Sequence, residues 1–241
     1  MNAVLEKYIF IVFTLLILSC GKDDSEKTTL FYELPPFDEI QVNGAFHIFL
    51  KQDSVFSIGI TGNREIIEEV EFTVEDSVLS LVNASRLMMF SPEDNKMELH
   101  ISADRLKKIQ ANETCFIETV NPIITHEFGL IKGHKYLESH FELNCDIFYF
   151  WNTTPCGGKL TLEGNTRNLR IWNFIVMSVD ASDVSADTAW IENSSKGDCI
   201  VRVNNLLYYS IHGIGNIYLY GEPKEIILLE KTSSGELIRM E

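Results

Sequence analysis

A short period restricts this chain more than any other feature. From about Met97 onward, a small or polar pair followed by an apolar residue recurs: Ser139-His140-Phe141, Gly158-Lys159-Leu160, Ser182-Asp183-Val184 and Asp198-Cys199-Ile200. With Ile117 and Ile217 added, the apolar anchors Ile117, Phe141, Leu160, Val184, Ile200 and Ile217 recur unevenly along the chain, with a mean spacing of about 20 residues. A shift of 100 residues also lays Leu106-Lys107-Lys108-Ile109 on Leu206-Leu207-Tyr208-Tyr209, and Thr114-Cys115-Phe116-Ile117 on Ile214-Gly215-Asn216-Ile217. Self-similarity at such a period marks a solenoid, whose rungs bury their apolar edges only by stacking. Short strands and turn residues within each copy point to a β-solenoid.

Upstream of the repeat, apolar residues alternate with polar ones at Ile40-Val42, Phe46-Ile48-Leu50, Phe56-Ile58-Ile60 and Leu79-Leu81, and again at Met97-Leu99-Ile101. Period two turns one strand face to a core and the other to water. Gly44, Gly62, Asn63, Asp53-Ser54 and Asp76-Ser77 read as turns between these strands. Arg64-Glu65-Ile66-Ile67-Glu68-Glu69-Val70 is a helix candidate of two turns at most, and Ser91-Pro92-Glu93-Asp94-Asn95 reads as an exposed loop. The expectation is one all-β domain over residues 31–241. It comprises an N-terminal antiparallel strand layer (31–95) that continues into β-helix rungs (96–241), each of about 20 residues.

The N-terminus reads as a leader. Lys7 precedes an apolar run from Tyr8 to Leu18, which ends at Ser19-Cys20-Gly21. That run suits a signal-peptide core and is short of the ~20 residues a membrane helix needs. Ile17-Leu18-Ser19-Cys20 resembles the lipobox of bacterial lipoproteins. The resemblance implies a signal peptide over 1–19 and a diacylglycerol thioether on Cys20; an ordinary secretory signal is the alternative. Two or three acyl chains anchor stably, since each buried methylene adds about 0.8 kcal/mol. Residues 20–30 read as a flexible, acidic tether, because Gly21 to Thr29 offers nothing apolar to bury. Within it, Lys22-Asp23-Asp24 resembles a Gram-negative signal for export to the outer face of the outer membrane. Cell surface and periplasmic face both stand as locations.

The net charge is −15, which leaves no basic footprint for nucleic acid and no polybasic patch for anionic lipid. Besides Cys20 there are Cys115, Cys145, Cys156 and Cys199, without C-x2-C spacing. An exported protein could join them as disulfides in any of three connectivities, or bury them as free thiols.

No nucleophile elbow, P-loop or dinucleotide fingerprint appears, and Gly213-x-Gly215 lacks a strand-to-helix setting, so no catalytic residue and no cofactor are expected. Asp180, Asp183 and Asp187 are the one enzymatic lead, because polysaccharide-cleaving β-helix enzymes hold Ca²⁺ on clustered aspartates. Solvated turn carboxylates are the plainer reading, since calcium needs six to eight oxygens. His126, His134 and His140 would form a metal site only if rungs stacked them; no metal is expected. Asp53-Ser54-Val55, Asp76-Ser77-Val78 and Asp187-Thr188-Ala189 resemble a bacterial O-glycosylation sequon. Phe148-Tyr149-Phe150-Trp151, Trp172-Asn173-Phe174 and Tyr208-Tyr209 alternate so that half their rings enter the core. The outer half, with Trp151, Trp172 and Tyr208 as candidate contacts, would offer a ladder to a glycan or protein surface; rings that stack inside the solenoid are the plainer reading.

At the C-terminus, Gly213-Ile214-Gly215-Asn216-Ile217-Tyr218-Leu219-Tyr220-Gly221-Glu222-Pro223 resembles the closing motif of the auto-transporter adhesin head, or GIN, domain family. Phe37-Asp38-Glu39-Ile40-Gln41-Val42-Asn43-Gly44-Ala45-Phe46-His47-Ile48 resembles its opening strand pair, and Ser77-Val78-Leu79-Ser80-Leu81 a third landmark. Most Gly-Ser-Gly corners of that family are replaced, as at Glu113-Thr114-Cys115. The resemblance spans about Phe37 to Ile238. It implies a β-helix-like fold and a non-enzymatic, adhesin-like role at the cell envelope. Gly213, Gly215, Asn216, Ile217, Tyr220, Gly221 and Pro223 are then structural residues. The runners-up are a polysaccharide-active β-helix enzyme and a purely structural envelope protein.

Overall fold

The computed structural model describes residues 27–83, 97–152 and 155–241. The signal peptide, Cys20, the first part of the tether and the Ser91-to-Asn95 loop lie outside them. With 74% strand against 2% helix, and about 6 turns of about 21 residues, the chain is the all-β solenoid that its periodicity implies. Among the described residues, sixteen strands join into one sheet.

A rung has three straight segments. β8 (Lys108–Ala111) leads through a corner into β9 (Cys115–Thr119), and β10 (Ile123–Lys132) completes the turn. β11 (Lys135–Asn152) then lies parallel on both, pairing Leu137 with Cys115 and Phe148 with Phe128. β12 (Cys156–Ser195) and β13 (Cys199–Ile211) extend the stack in parallel register. β14 (Ile217–Tyr220), β15 (Glu225–Lys231) and β16 (Leu237–Arg239) end it. For convenience, face one carries β9, β14 and β16, and face three carries β8 and β15.

The N-terminal strands grow out of the same stack. β2 (Glu39–Asn43) and β3 (Phe46–Gln52) pair in parallel with β8 and β9, forming a first rung. Above them β6 (Val78–Asn83) lies parallel on β2 and β7 (Glu98–Ala103) parallel on β3, and only beyond these two strands does the pairing turn antiparallel. β4 (Ser57–Asn63) joins β7 to β1 (Lys27–Glu33), and β5 (Val70–Glu75) pairs β6. Asp76 and Ser77, both at positive φ (48° and 65°), form the two-residue turn of that hairpin, as expected of such connections. The helix candidate reduces to α1 (Arg64–Ile67), capped by Asn63 Oδ1 accepting from the Glu65 amide at 3.0 Å. One expectation fails here. Lys27, Thr28, Thr29 and Leu30, assigned to the flexible tether, pair with β4 from Asn63 to Ile60. Backbone hydrogen bonds to an open strand edge order them, and Leu30 packs against the core.

The repeat anchors need correcting by small shifts. Ile117 pairs with Ser139, and Ser139 with Leu160, whereas Phe141 lies two residues on, opposite Leu162. Ile200 faces outward beside Asp180, and its neighbours Cys199 and Val201 fill the core instead. Strand parity, not apolarity alone, decides which residue goes inside. The 100-residue shift holds at one corner. Ala111, Lys132 and Asn152 form one column, and Asn193, Ile211 and Lys231 continue it on later rungs.

That column solves a problem that every rung poses. Corners leave backbone groups inside without a strand partner, and each buried, unpaired group costs about 1–3 kcal/mol. Asn152, Asn173 and Asn193 are fully buried there, each carrying a donor and an acceptor. Asn152 accepts from the Phe174 amide at 2.8 Å and donates to the Phe174 carbonyl at 2.7 Å, one rung on. Asn173 donates to Met177 O at 2.9 Å and to Asn193 Oδ1 at 3.2 Å. Asn193 in turn donates to the carbonyls of Gly197 and Asn216. Where the column meets the early rungs, buried Lys132 takes the place of asparagine. Its ammonium donates to the carbonyls of Ala111, Glu113 and His134. Burial pushes that ammonium below the ordinary lysine range, and the carbonyl cage replaces the water it has lost.

On the other side of the same corner the rungs touch backbone to backbone. A Cβ on Gly215 would stand 2.0 Å from the Gly197 carbonyl oxygen, and one on Gly235 would stand 2.3 Å from that of Gly215. Gly215→Ala is therefore expected to cost about 3 kcal/mol or more, read as a lowered denaturation midpoint by circular dichroism. Gly59→Ala, whose new Cβ would meet nothing nearer than 3.7 Å, should move that midpoint by less than about 1 kcal/mol. Equal effects at both sites would contradict the close contact.

Candidate binding faces

Face three carries the aromatic ladder. Along β11, Phe148 and Phe150 are buried while Tyr149 and Trp151 point outward, as period two requires. Trp151 pairs in register with Trp172, and the two are 46% and 36% exposed. Tyr208 does not adjoin them. It pairs with Trp190, which is 42% exposed, and the two rings stack at 4.2 Å and 23°. Trp190 stands apart from the aromatic clusters of the sequence, since Thr188, Ala189 and Ile191 give it no aromatic neighbours. Its position one rung before Tyr208 was the available signal. Arg170, paired with Tyr149 on this face, adds a cation among the rings.

The other candidates disperse. Asp180 receives the Ser182 hydroxyl at 2.7 Å and lies 3.6 Å from Lys159 Nζ. Asp183 is exposed, and Asp187 lines a separate polar hollow of about 310 Å³ with Asn144, Asp146, Asn165, Arg167 and Asn204. The three aspartates therefore do not converge. His126 Nδ1 lies 2.7 Å from Asp146 and His140 Nε2 lies 3.0 Å from Glu163, so those histidines pair with different carboxylates. His134 meets Lys132 through its backbone carbonyl. The His126 hydrogen bond, helped by Arg167, holds the Asp146 carboxyl below the usual range. Among the described residues no group of three acidic, histidine or cysteine side chains could hold a metal. Of the sequon-like sites, Ser54 and Ser77 stand on exposed turns and Thr188 is half-buried.

The closing motif lies at the last corner of the stack. Gly213 packs against the Ser195 carbonyl as Gly215 does against that of Gly197. The Asn216 amide donates to Asp198 Oδ1 at 2.7 Å, and Asn216 Oδ1 accepts from the Glu236 amide at 3.0 Å, so this corner carries its own side-chain ladder. Ile217 enters the core opposite Cys199. Tyr220 lies under the Arg202 guanidinium at 5.3 Å. Gly221, at φ +83°, and Pro223 then lead out of β14 towards β15.

These features define a β-solenoid with a buried asparagine ladder, a glycine-lined closing corner and an aromatic outer face. Residues 36–223 match the model of the family described as putative auto-transporter adhesin, head GIN domain, and the chain belongs to that family. Among solved structures it resembles a putative adhesin from Bacteroides fragilis, with a TM-score of 0.76 at 18% identity over 90% of this chain and 98% of that one. A putative adhesin from Parabacteroides merdae (TM-score 0.60, 16% identity) and a putative lipid binding protein from Parabacteroides distasonis (0.60, 15%) match over the same 90% and 98%. At such identities the likeness shows the fold. Comparison with curated protein sequences finds no match.

Cys115, Cys145, Cys156 and Cys199 are free and buried, which favours thiols as core residues over any of the three disulfide pairings. Burial pushes Cys115 and Cys199 up to about 12 and Cys145 to about 11. A thiol at 12, against an ordinary 9.0, holds roughly a thousandfold less thiolate. In a Cys20→Ser chain, a thiol-reactive dye should therefore label none of the four in mildly alkaline buffer and all four in denaturant. Fast labelling of the native protein would contradict their burial.

Proposed function

We propose that this protein is a non-enzymatic, adhesin-like binding module, tied to the outer membrane by lipid on Cys20 and presenting face three to a glycan or protein surface. The observation that carries the reading is the outer ladder. Trp151 beside Trp172, and Trp190 stacked on Tyr208, stand half exposed on a sheet whose inner rings already fill the core. Large rings left in water on a rigid, flat face are suited to stacking on sugar rings or anchoring a partner. Membership of an adhesin-head family supports an envelope location and a binding role. The lipobox-like Ile17-Leu18-Ser19-Cys20 and the Lys22-Asp23-Asp24 triad support the anchor and the outer face. No helix among the described residues is long and apolar enough to cross a membrane.

Two experiments test the two halves. On a glycan array and against immobilised envelope extracts, Trp151→Ala and Trp172→Ala should each weaken binding about tenfold, a loss of roughly 1–2 kcal/mol, with unchanged circular dichroism. Binding that survives the double substitution would refute the role of this face. Metabolic palmitate labelling should be present in the full chain and absent from Cys20→Ser; label persisting in the variant would remove the anchor.

A further inference from the structure

Face one carries a second, independent line of rings that alternation along the sequence did not suggest. Outward side chains of β7, β3, β9 and β11 place His100 on Phe49 (4.8 Å, 8°), Phe49 on His47 (4.4 Å, 28°), His47 near Phe116 (5.9 Å) and Phe116 near Tyr136 (6.2 Å). Phe116 and Tyr136 are each 43% exposed. Below them opens a groove of about 380 Å³, lined by His47, Phe116, Glu118, Glu138, His140 and Thr161.

In this groove the carboxylates are not held by lysine or arginine, as several carboxylates elsewhere on the surface are. Asp53, Glu39, Glu113 and Asp146 each lie within 2.8 Å of a lysine or arginine nitrogen. Glu118 and Glu163 instead meet imidazoles, His47 at 2.6 Å and His140 at 3.0 Å, and Glu138 accepts only the Tyr136 hydroxyl at 3.3 Å. Lys159, one strand on from Glu138, faces Asp180. Among the described residues, then, none of the three glutamates has a lysine or arginine partner. An imidazole gives its carboxylate one hydrogen bond and leaves the remaining lone pairs of that carboxylate open. An exposed ring face flanked by carboxylates without a lysine or arginine partner attracts cations through both the ring quadrupole and charge. The same face already holds one such contact within the chain, Arg202 over the Tyr220 ring.

We propose that this groove binds primary alkylammonium groups, the lysine side chains of a basic partner polypeptide. The four-carbon stem would lie along Phe116 while the ammonium meets Glu118 and Glu138, as amphipathic lysines bury stem and expose head. The net charge of −15 steers basic partners toward the molecule, and the groove supplies the local fit. This site is separate from face three and does not rest on its glycan or protein ligand.

Fluorescence anisotropy of labelled trilysine with the detergent-purified full chain tests it. Wild type should bind trilysine, and fully Nε-acetylated trilysine should not bind. Phe116→Ala, which changes no charge, and Glu118→Gln should each weaken binding about tenfold or more. Phe116→Leu guards against a folding defect, since it keeps apolar bulk and should weaken binding with unchanged circular dichroism. Glu71→Gln, on an exposed part of β5, should leave binding as it is. Unchanged affinity in Phe116→Ala would reduce the effect to diffuse charge and overturn the proposal. Choline displacing trilysine as well as n-butylamine does would equally overturn it, because the site would then not distinguish primary from quaternary amines.

Discussion

The buried asparagine column is the interaction on which the rest of the solenoid depends. Parallel strands satisfy their own backbone groups along the straight segments, but a chain that turns three times per rung must bring unpaired amides and carbonyls inside. Asn152, Asn173 and Asn193 close that gap, each reaching to backbone or side chain on a neighbouring rung. A leucine there would fill the space and leave the corner amides unsatisfied. Lys132 shows the same demand met by a cation, held among three carbonyls. Glycine serves the opposite side of the corner, where rungs approach so closely that no side chain fits.

Once the corners are fixed, parity assigns every other residue. The core takes Phe128, Phe141, Phe148 and Phe150, with rings packed edge-on at 5.4 Å between Phe128 and Phe141. The outer columns are free of packing duty and carry two ladders of different character. Face three is tryptophan-rich with an arginine among its rings. Face one interleaves phenylalanine and histidine with glutamate. Two faces of one solenoid thus present distinct chemistry on sheet surfaces.

Much of this was legible in the sequence. Alternation at Phe46-Ile48-Leu50 or Leu79-Leu81 placed strands and their inward faces, and the repeat gave the solenoid and nearly its rung length. The closing glycines pointed to family and fold together. What escaped was register. Phe141 and Ile200 are as apolar as true column members, and only the strand pairing shows one to be two residues displaced and the other turned outward. The ring ladder of face one was hidden for a similar reason. His47 and Phe116 are distant in sequence yet lie side by side, because β2 and β3 join the stack before the antiparallel strands interrupt the chain. Asn152, Asn173 and Asn193 recur one rung apart, a signal present in the sequence but masked by how ordinary asparagine looks at a turn.

The stacking of like on like also determines how such a molecule can change in length. A strand slipped by one residue would turn its core outward, and a slip of two would keep the facing but pull asparagine away from its corner. Only a whole rung, about 21 residues, can be gained or lost with corner, core and outer face all preserved. The duplicated rung would carry its own tryptophan or glutamate to the surface. Growth by that increment would lengthen a binding face while leaving its chemistry and spacing intact, so reach and recognition could be altered together in a single genetic step.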